Sequence, residues 1–291
     1  ARIELTFQVA ISMPPTYRRG LTSRCWDSGQ QTHPPAREDG GMGTALITGA
    51  SAGLGAEFAW QLAEARHDLV LVARTEQRLE DLAHSLRGAA GVSVDVLVAD
   101  LSTAPGRQLV ADRLADPTKP IGLLVNNAGY GQGVRFSEND LAKEQEALAV
   151  MVQAVLELSH AAAGAMKQRG RGAILNVGSV AGLMTSGTYS AHKAWVRTFT
   201  EGLARDLASR GVTATVVNPG LTHTEFHERA GWGVTRIPEF AWLSAERVVA
   251  DSLRAVRRGA IEVTPSLRYQ VGAALLQHLP RSVVRRLSRS F

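Results

Sequence analysis

Residues 44–55 read Thr44-Ala45-Leu46-Ile47-Thr48-Gly49-Ala50-Ser51-Ala52-Gly53-Leu54-Gly55. Thr44 to Thr48 is a short apolar strand. Three glycines among small residues then make a turn, and a helical period runs from about Leu54 to Arg66. Leu69 to Ala73 follows as a second buried strand, closing a strand–helix–strand unit about 30 residues long. In that order each glycine has a use. Gly49 permits the tight turn, Gly53 lets the backbone approach a pyrophosphate, and Gly55 lets the helix pack closely on the sheet. The helix N-terminus offers free N–H groups and a positive dipole end to phosphates. Glycines alone would read as a connecting loop. The strand before them and the helix after them point to a dinucleotide site, with Thr48, Ser51 and Leu54 completing the turn.

The same alternation continues outward. Apolar runs recur at 92–99, 122–126, 173–177, 213–217 and 260–263, with helical stretches at 75–87, 106–115, 138–169, 189–210 and 244–258. Strands alternating with helices predict a parallel sheet covered on both faces. Seven such strands make an α/β, doubly wound, three-layer α/β/α domain over residues 42–263, whose ligands bind at the carboxyl ends of the strands.

Composition narrows the class. The net charge of +5 lies at the ends: residues 264–291 carry five arginines and no acid, residues 1–41 carry +1, and the stretch between them nets −1. The basic balance therefore gives the domain itself no nucleic-acid partner. Cys25 is the single cysteine, which allows no intramolecular disulfide and fits a reducing, cytoplasmic setting. His223 and His227 stand four apart without a third ligand nearby, so no metal is expected. Residues 1–41 are rich in Pro, Arg, Gly and Ser and show no period. They read as disordered, with Met42 as the native start and the upstream residues as a mis-read frame.

Two further stretches carry chemistry. The second strand ends in Ala73-Arg74-Thr75, with a guanidinium where an NAD site places an acid. That favours the extra phosphate of NADP(H) over NAD(H). Asp100, with Leu101, ends the third strand. It either accepts from an adenine amino group or caps the next helix. Tyr189-Ser190-Ala191-His192-Lys193 opens a long helix, where positions i and i+4 share a face. A nearby ammonium favours the phenolate of a tyrosine, which then exchanges a proton with a carbonyl or alcohol oxygen. Ser179, just past the fifth strand, is the hydroxyl placed to orient that oxygen.

Together these motifs resemble the short-chain dehydrogenase/reductase family in its single-domain, Rossmann-like form. The likeness runs from about Met42 to Val263. It is carried by Thr48-Gly49 through Gly53 and Gly55, by Asn126-Asn127-Ala128-Gly129, by Ser179, by Tyr189 with Lys193, and by Asn218-Pro219-Gly220 followed by Thr224. The resemblance implies Tyr189 as acid/base and Lys193 as the group that lowers its pKa and binds the nicotinamide ribose. It implies Ser179 as the residue positioning the substrate oxygen. Asn126, with Ala128 and Gly129, would line the cofactor cleft, and Pro219, Gly220, Thr222 and Thr224 would contact the nicotinamide amide and phosphates. It also implies a homodimer or homotetramer.

Two departures stand out. Met151 occupies the position where the family usually has an asparagine, and a thioether is at best a weak acceptor. The expectation is that Met151 packs in the helix core while a shifted water or a backbone carbonyl serves the proton relay; slowed turnover is the alternative. The interval from Ser179 to Tyr189 is ten residues against a commoner thirteen, with Gly182 and Gly187 freeing the shortened loop. Phe226, Trp232, Ile237, Phe240 and Trp242 in residues 221–243 read as a lid over an apolar or lipid-like substrate, or as ordinary packing. The basic amphipathic helix from Arg281 fits a peripheral membrane contact, a soluble helix or a dimer contact. The function expected is an NADPH-dependent oxidoreductase acting on a small-molecule carbonyl or alcohol. A catalytically impaired NADP-binding regulatory protein is the alternative.

Overall fold

The structure, a computed structural model, describes residues 43–224 and 238–288. The expectations for residues 1–41, and for Phe226, Trp232 and Ile237, fall outside the described residues.

Seven parallel strands form one sheet: β1 (Thr44–Thr48), β2 (Asp68–Ala73), β3 (Val94–Val98), β4 (Ile121–Asn126), β5 (Gly172–Val177), β6 (Val212–Val217) and β7 (Glu262–Val263). Their spatial order is β3-β2-β1-β4-β5-β6-β7. The order reverses between β1 and β4, and a doubly wound sheet opens its ligand crevice at such a switch point. β1 pairs with β2 from Thr44↔Asp68 to Thr48↔Val72, so the end of β1 and the end of β2 finish level at the crevice.

The central strands are buried on both faces, which explains their near-continuous Val, Leu, Ile and Ala content. Two apolar clusters flank the sheet. One joins Phe58, Leu62, Leu79 and Leu86 to Ile47, Leu71, Leu123 and Val249. It seats α1 (Gly53–Glu64), α2 (Glu76–Ala90) and α7 (Ala245–Arg257). The other joins Leu46, Val70 and Ile174 to Val110, Leu158 and Met166. It seats α3 (Ala104–Ala115), α5 (Ala154–Arg169) and α6 (Gly187–Leu207). Arg107, buried on α3, donates to Glu157 on α5 at 2.9 Å and to the carbonyls of Leu101 and Ser102, pinning the two helices together.

The structure departs from the sequence reading in two places. The stretch expected as one helix over 138–169 is α4 (Leu141–Leu148), a π-helical turn (Ala149–Gln153) and α5. A π turn adds a residue to the helical repeat and commonly marks a functional site. By length and composition this 29-residue helical run is apolar enough to cross a bilayer. It instead packs on β4, β5 and α3, as a core helix does. The residues after β7 form α8 (Leu267–His278), which has no counterpart in the reading, and α9 (Arg281–Leu287). Neither hangs free. Val284 is fully buried, Ser288 accepts from the Thr185 amide at 3.0 Å, and α8 packs on the short helix at 180–183. The open face of α8 carries Leu267, Val271 and Leu275.

Candidate active site

The glycine turn is held from below. Thr48 Oγ1 accepts from the Asn127 and Ala128 amides at 3.0 and 3.1 Å, and Asn127 Nδ2 donates to the Thr48 and Gly49 carbonyls at 3.0 and 3.3 Å. These bonds lock the β1 turn to the loop after β4 across the switch point. Gly49 has φ +67°, and a Cβ there would meet Ala128 Cα at 2.9 Å. A Cβ on Gly55 would run into the Gly49 carbonyl oxygen and the Asn127 amide. Gly55 thus closes the turn on itself, a tighter constraint than helix-on-sheet packing. Within the Asn126–Gly129 motif the sequence gives Asn127 no role of its own; its grip on two carbonyls is visible only in the structure. Replacing Thr48 by Val should leave two amides without their acceptor. The expected cost is about 1–3 kcal/mol, read as a lower urea midpoint, while Thr48→Ser stays near wild type. An unchanged midpoint for the valine variant would refute the lock.

Above the turn, α1 begins at Gly53 behind Ala52, whose side chain caps nothing, and its first turn holds no acid. α3, α4 and α7 are capped by Thr103, Asp140 and Ser244. The leading N–H groups of α1 are therefore left facing the crevice, beside the partly exposed Ser51 and Leu54. Thr224 closes over the same spot, since a Cβ on Gly53 would lie 3.3 Å from the Thr224 Cβ. At the end of β2, Arg74 donates to Glu146 of α4 at 3.4 Å. Asp100 accepts from the Ser102 amide and hydroxyl at 2.9 and 2.8 Å. The cap of α3 is Thr103, so the capping alternative for Asp100 gives way to a local turn. Leu101 is buried in the second apolar cluster, against which Ala128 packs.

Asn126 points inward. It donates to Ser159 at 3.1 Å and to Asn176 at 2.9 Å, and Asn176 passes the chain on to Thr200 at 2.9 Å. This buried polar chain ties β4 and β5 to α5 and α6. Gly129, the last residue of the motif, lies against Met151 and Lys193: a Cβ there would stand 3.5 Å from the Met151 sulfur and 3.6 Å from the Lys193 Nζ. Met151, buried on the π turn, and Lys193 thus share the same neighbour, Gly129.

Ser179, Tyr189 and Lys193 converge at the carboxyl end of β5. The Ser179 hydroxyl accepts from the Ala181 amide at 3.1 Å and hydrogen-bonds the Tyr189 phenol. Lys193 Nζ donates to the Val177 carbonyl at 2.7 Å and sits 5.8 Å from the Tyr189 ring centroid. Burial pushes the phenol up to about 12 against the opposing bond from Ser179, and pushes Lys193 down to about 8. In the protein alone, desolvation of Tyr189 outweighs the pull toward phenolate expected from a neighbouring ammonium. The shortened loop between Ser179 and Tyr189 is a turn of 3-10 helix (Val180–Leu183). Gly182 is packed there rather than free: a Cβ would meet the α6 backbone at 2.9 Å.

The segment after β6 forms the remaining wall. The Pro219 carbonyl accepts from the Val180 amide at 3.1 Å, and Thr222 turns its hydroxyl onto the Gly220 carbonyl at 3.0 Å. Tyr269 of α8 clamps this wall. Its ring lies on Gly220, and its hydroxyl accepts from the Leu221 amide at 3.1 Å and donates to the Ala241 carbonyl at 2.8 Å. Phe240 is 72% exposed, and Trp242 stacks on His223 with ring centroids 4.7 Å apart.

Comparison with known proteins agrees with this geometry. A family model described as short chain dehydrogenase matches residues 43–232. A sulfoacetaldehyde reductase 2 of Chromohalobacter salexigens is 37% identical over 186 residues, 62% of this chain and 73% of that protein. A short-chain dehydrogenase from Sphingobium yanoikuyae, solved in complex with NADPH, superposes with a TM-score of 0.74 at 35% identity, covering 82% of this chain and 96% of that one. A bulky-bulky ketone specific alcohol dehydrogenase from Comamonas testosteroni gives 0.70 at 31% identity with the same coverage. The chain thus belongs to the short-chain dehydrogenase family, oxidoreductases acting on carbonyl or alcohol groups.

Proposed function

We propose that the protein is an NADPH-dependent carbonyl reductase or alcohol dehydrogenase with an apolar substrate, using Tyr189 as its acid/base. The observation that carries the reading is the convergence of Ser179, Tyr189 and Lys193 beside the crevice that the glycine turn opens. The residues fit a nicotinamide dinucleotide phosphate. The uncapped start of α1 and the left-handed Gly49 suit a pyrophosphate, and Arg74 at the β2 end suits a further phosphate. When bound, the cofactor supplies or accepts the hydride.

In the reductive direction, Ser179 holds the carbonyl oxygen and Tyr189 gives it a proton through the phenol Oη. A phenol raised to about 12 by burial stays protonated at neutral pH, ready to donate. Lys193, anchored on Val177, balances the negative charge left on the tyrosine and returns its proton. Met151 offers no amide to that return path, which then needs a shifted water or a backbone carbonyl to hold one. The apolar character of the substrate rests on Phe240 and Trp242 at the wall, and on the bulky ketones named for the Comamonas relative.

Lys193 gives the reading a pH signature. Its folded pKa is lowered to about 8, so the ammonium is present below that pH and lost above it. Reductive kcat/KM, which reports the free enzyme, should therefore be level below pH 8 and fall above it. A profile of NADPH oxidation with a bulky aryl ketone measures this. A flat line from pH 6 to 10 would contradict the role given to Lys193.

A further inference from the structure

The geometry points to Glu146 as a competitor with the cofactor's 2′-phosphate for Arg74, a residue that restrains how strongly the site prefers the phosphorylated cofactor. The inference rests on the reading of Arg74 as the phosphate-binding residue.

Glu146 comes from α4, 72 positions away in sequence, and its Oε1 accepts from Arg74 Nη1 at 3.4 Å. The pair is open to solvent, with the arginine side chain 62% and the glutamate 39% exposed. Such a pair is weakly held and exchanges readily. A second acid stands close by. Burial works to raise the Asp100 pKa, but the two bonds from Ser102 and the charge of Arg74 outweigh it and hold the carboxyl below its usual value. The charge of Glu146 reaches the same corner: after burial, it is the largest cause pushing the Tyr130 phenol up to about 12. One guanidinium is thus flanked by two carboxylates at the end of β2.

A 2′-phosphate carries about −1.5 to −2 charge near neutral pH, as other phosphate monoesters do. To bind well it must take the guanidinium fork with two of its oxygens. Nη1 of that fork is the atom Glu146 holds. A phosphate that takes the Nη1 edge displaces the carboxylate, and one that takes the other edge, Nε with Nη2, still lies beside a charge of its own sign. A cofactor with a free 2′-hydroxyl asks for neither change. Glu146 consequently costs NADPH binding and leaves NADH binding alone. The opposite role, in which Glu146 pre-positions Arg74 for the phosphate, would make its loss harmful to NADPH.

Calorimetric titration of NADPH and of NADH into the full chain separates these roles and needs no substrate. Glu146→Gln keeps the side-chain length and removes the charge. Its NADPH Kd should tighten about 3- to 10-fold at low salt, a scale set by a charge pair at a protein surface. The NADH Kd should stay within about twofold, and the NADPH gain should shrink toward 0.5 M salt, where screening is strong. A weaker or unchanged NADPH Kd overturns the inference, as does an equal tightening of both cofactors. Arg74→Ala and the double variant Arg74→Ala/Glu146→Gln are titrated in parallel. If Arg74→Ala weakens NADPH selectively while Glu146→Gln has no effect, only this inference fails. If Arg74→Ala leaves the NADPH-to-NADH ratio unchanged, the cofactor reading fails and takes the inference with it. The double variant should gain less over Arg74→Ala than Glu146→Gln gains over wild type, because only the direct repulsion is left to remove.

Discussion

Tyr189→Phe should lose about 100- to 10,000-fold in turnover, the range a positioned proton donor contributes, while still binding NADPH close to wild-type affinity. The substitution keeps the ring and removes one oxygen. Ser179 remains bonded to the Ala181 amide and Lys193 to the Val177 carbonyl, so the site keeps its frame. The substrate oxygen then receives no proton as the hydride arrives. Steady-state rates with a bulky ketone, paired with an NADPH titration, separate lost chemistry from lost binding. A variant within tenfold of wild type would mean that the proton comes from elsewhere.

Arg74→Asp should reverse the cofactor preference. A hydrogen bond to a charged group contributes about 1.5–3 kcal/mol, which corresponds to about 10- to 150-fold in NADPH efficiency. The new carboxylate adds repulsion toward the phosphate and offers an acceptor to a free ribose hydroxyl, so NADH should gain while NADPH loses. The ratio of the two kcat/KM values is the quantity to measure. An unchanged ratio would show that Arg74 is a solvated surface residue. Glu146, already at 3.4 Å from Arg74, would face a like charge in this variant, so Arg74→Ala is the cleaner measure of the lost attraction.

The fold was largely legible because its signals are local. The turn at 48–55 declares a strand-to-helix corner within a dozen residues, and each buried parallel strand is a contiguous apolar run. That alternation implies a doubly wound parallel sheet; the order of its seven strands and the β1–β4 crevice are visible only in the structure. What the sequence hid depends on partners far along the chain. Tyr269 reads as an ordinary aromatic of a basic tail, because the groups its hydroxyl clamps are 48 and 28 residues away. The Thr48–Asn127 lock spans 79 residues. The π turn is unreadable for another reason: nothing in Ala149-Val150-Met151-Val152-Gln153 breaks a helical pattern. Counting along the chain nonetheless assigned Met151 to the lysine's neighbourhood, where its sulfur lies. The charge of the basic tail is plain in the sequence, but the bond from the Thr185 amide to Ser288, 103 residues apart, is not.

Hydride transfer at the Ser179–Tyr189–Lys193 cluster with NADPH is tested by cofactor oxidation by the wild-type chain against a panel of bulky ketones and aldehydes, with NADPH and NADH run side by side and the alcohol product quantified. The expected result is oxidation matched mole for mole by alcohol, faster with NADPH than with NADH. NADPH that binds but is oxidised by no member of the panel would contradict it, and would favour a nucleotide-binding regulatory protein that keeps the fold without the turnover.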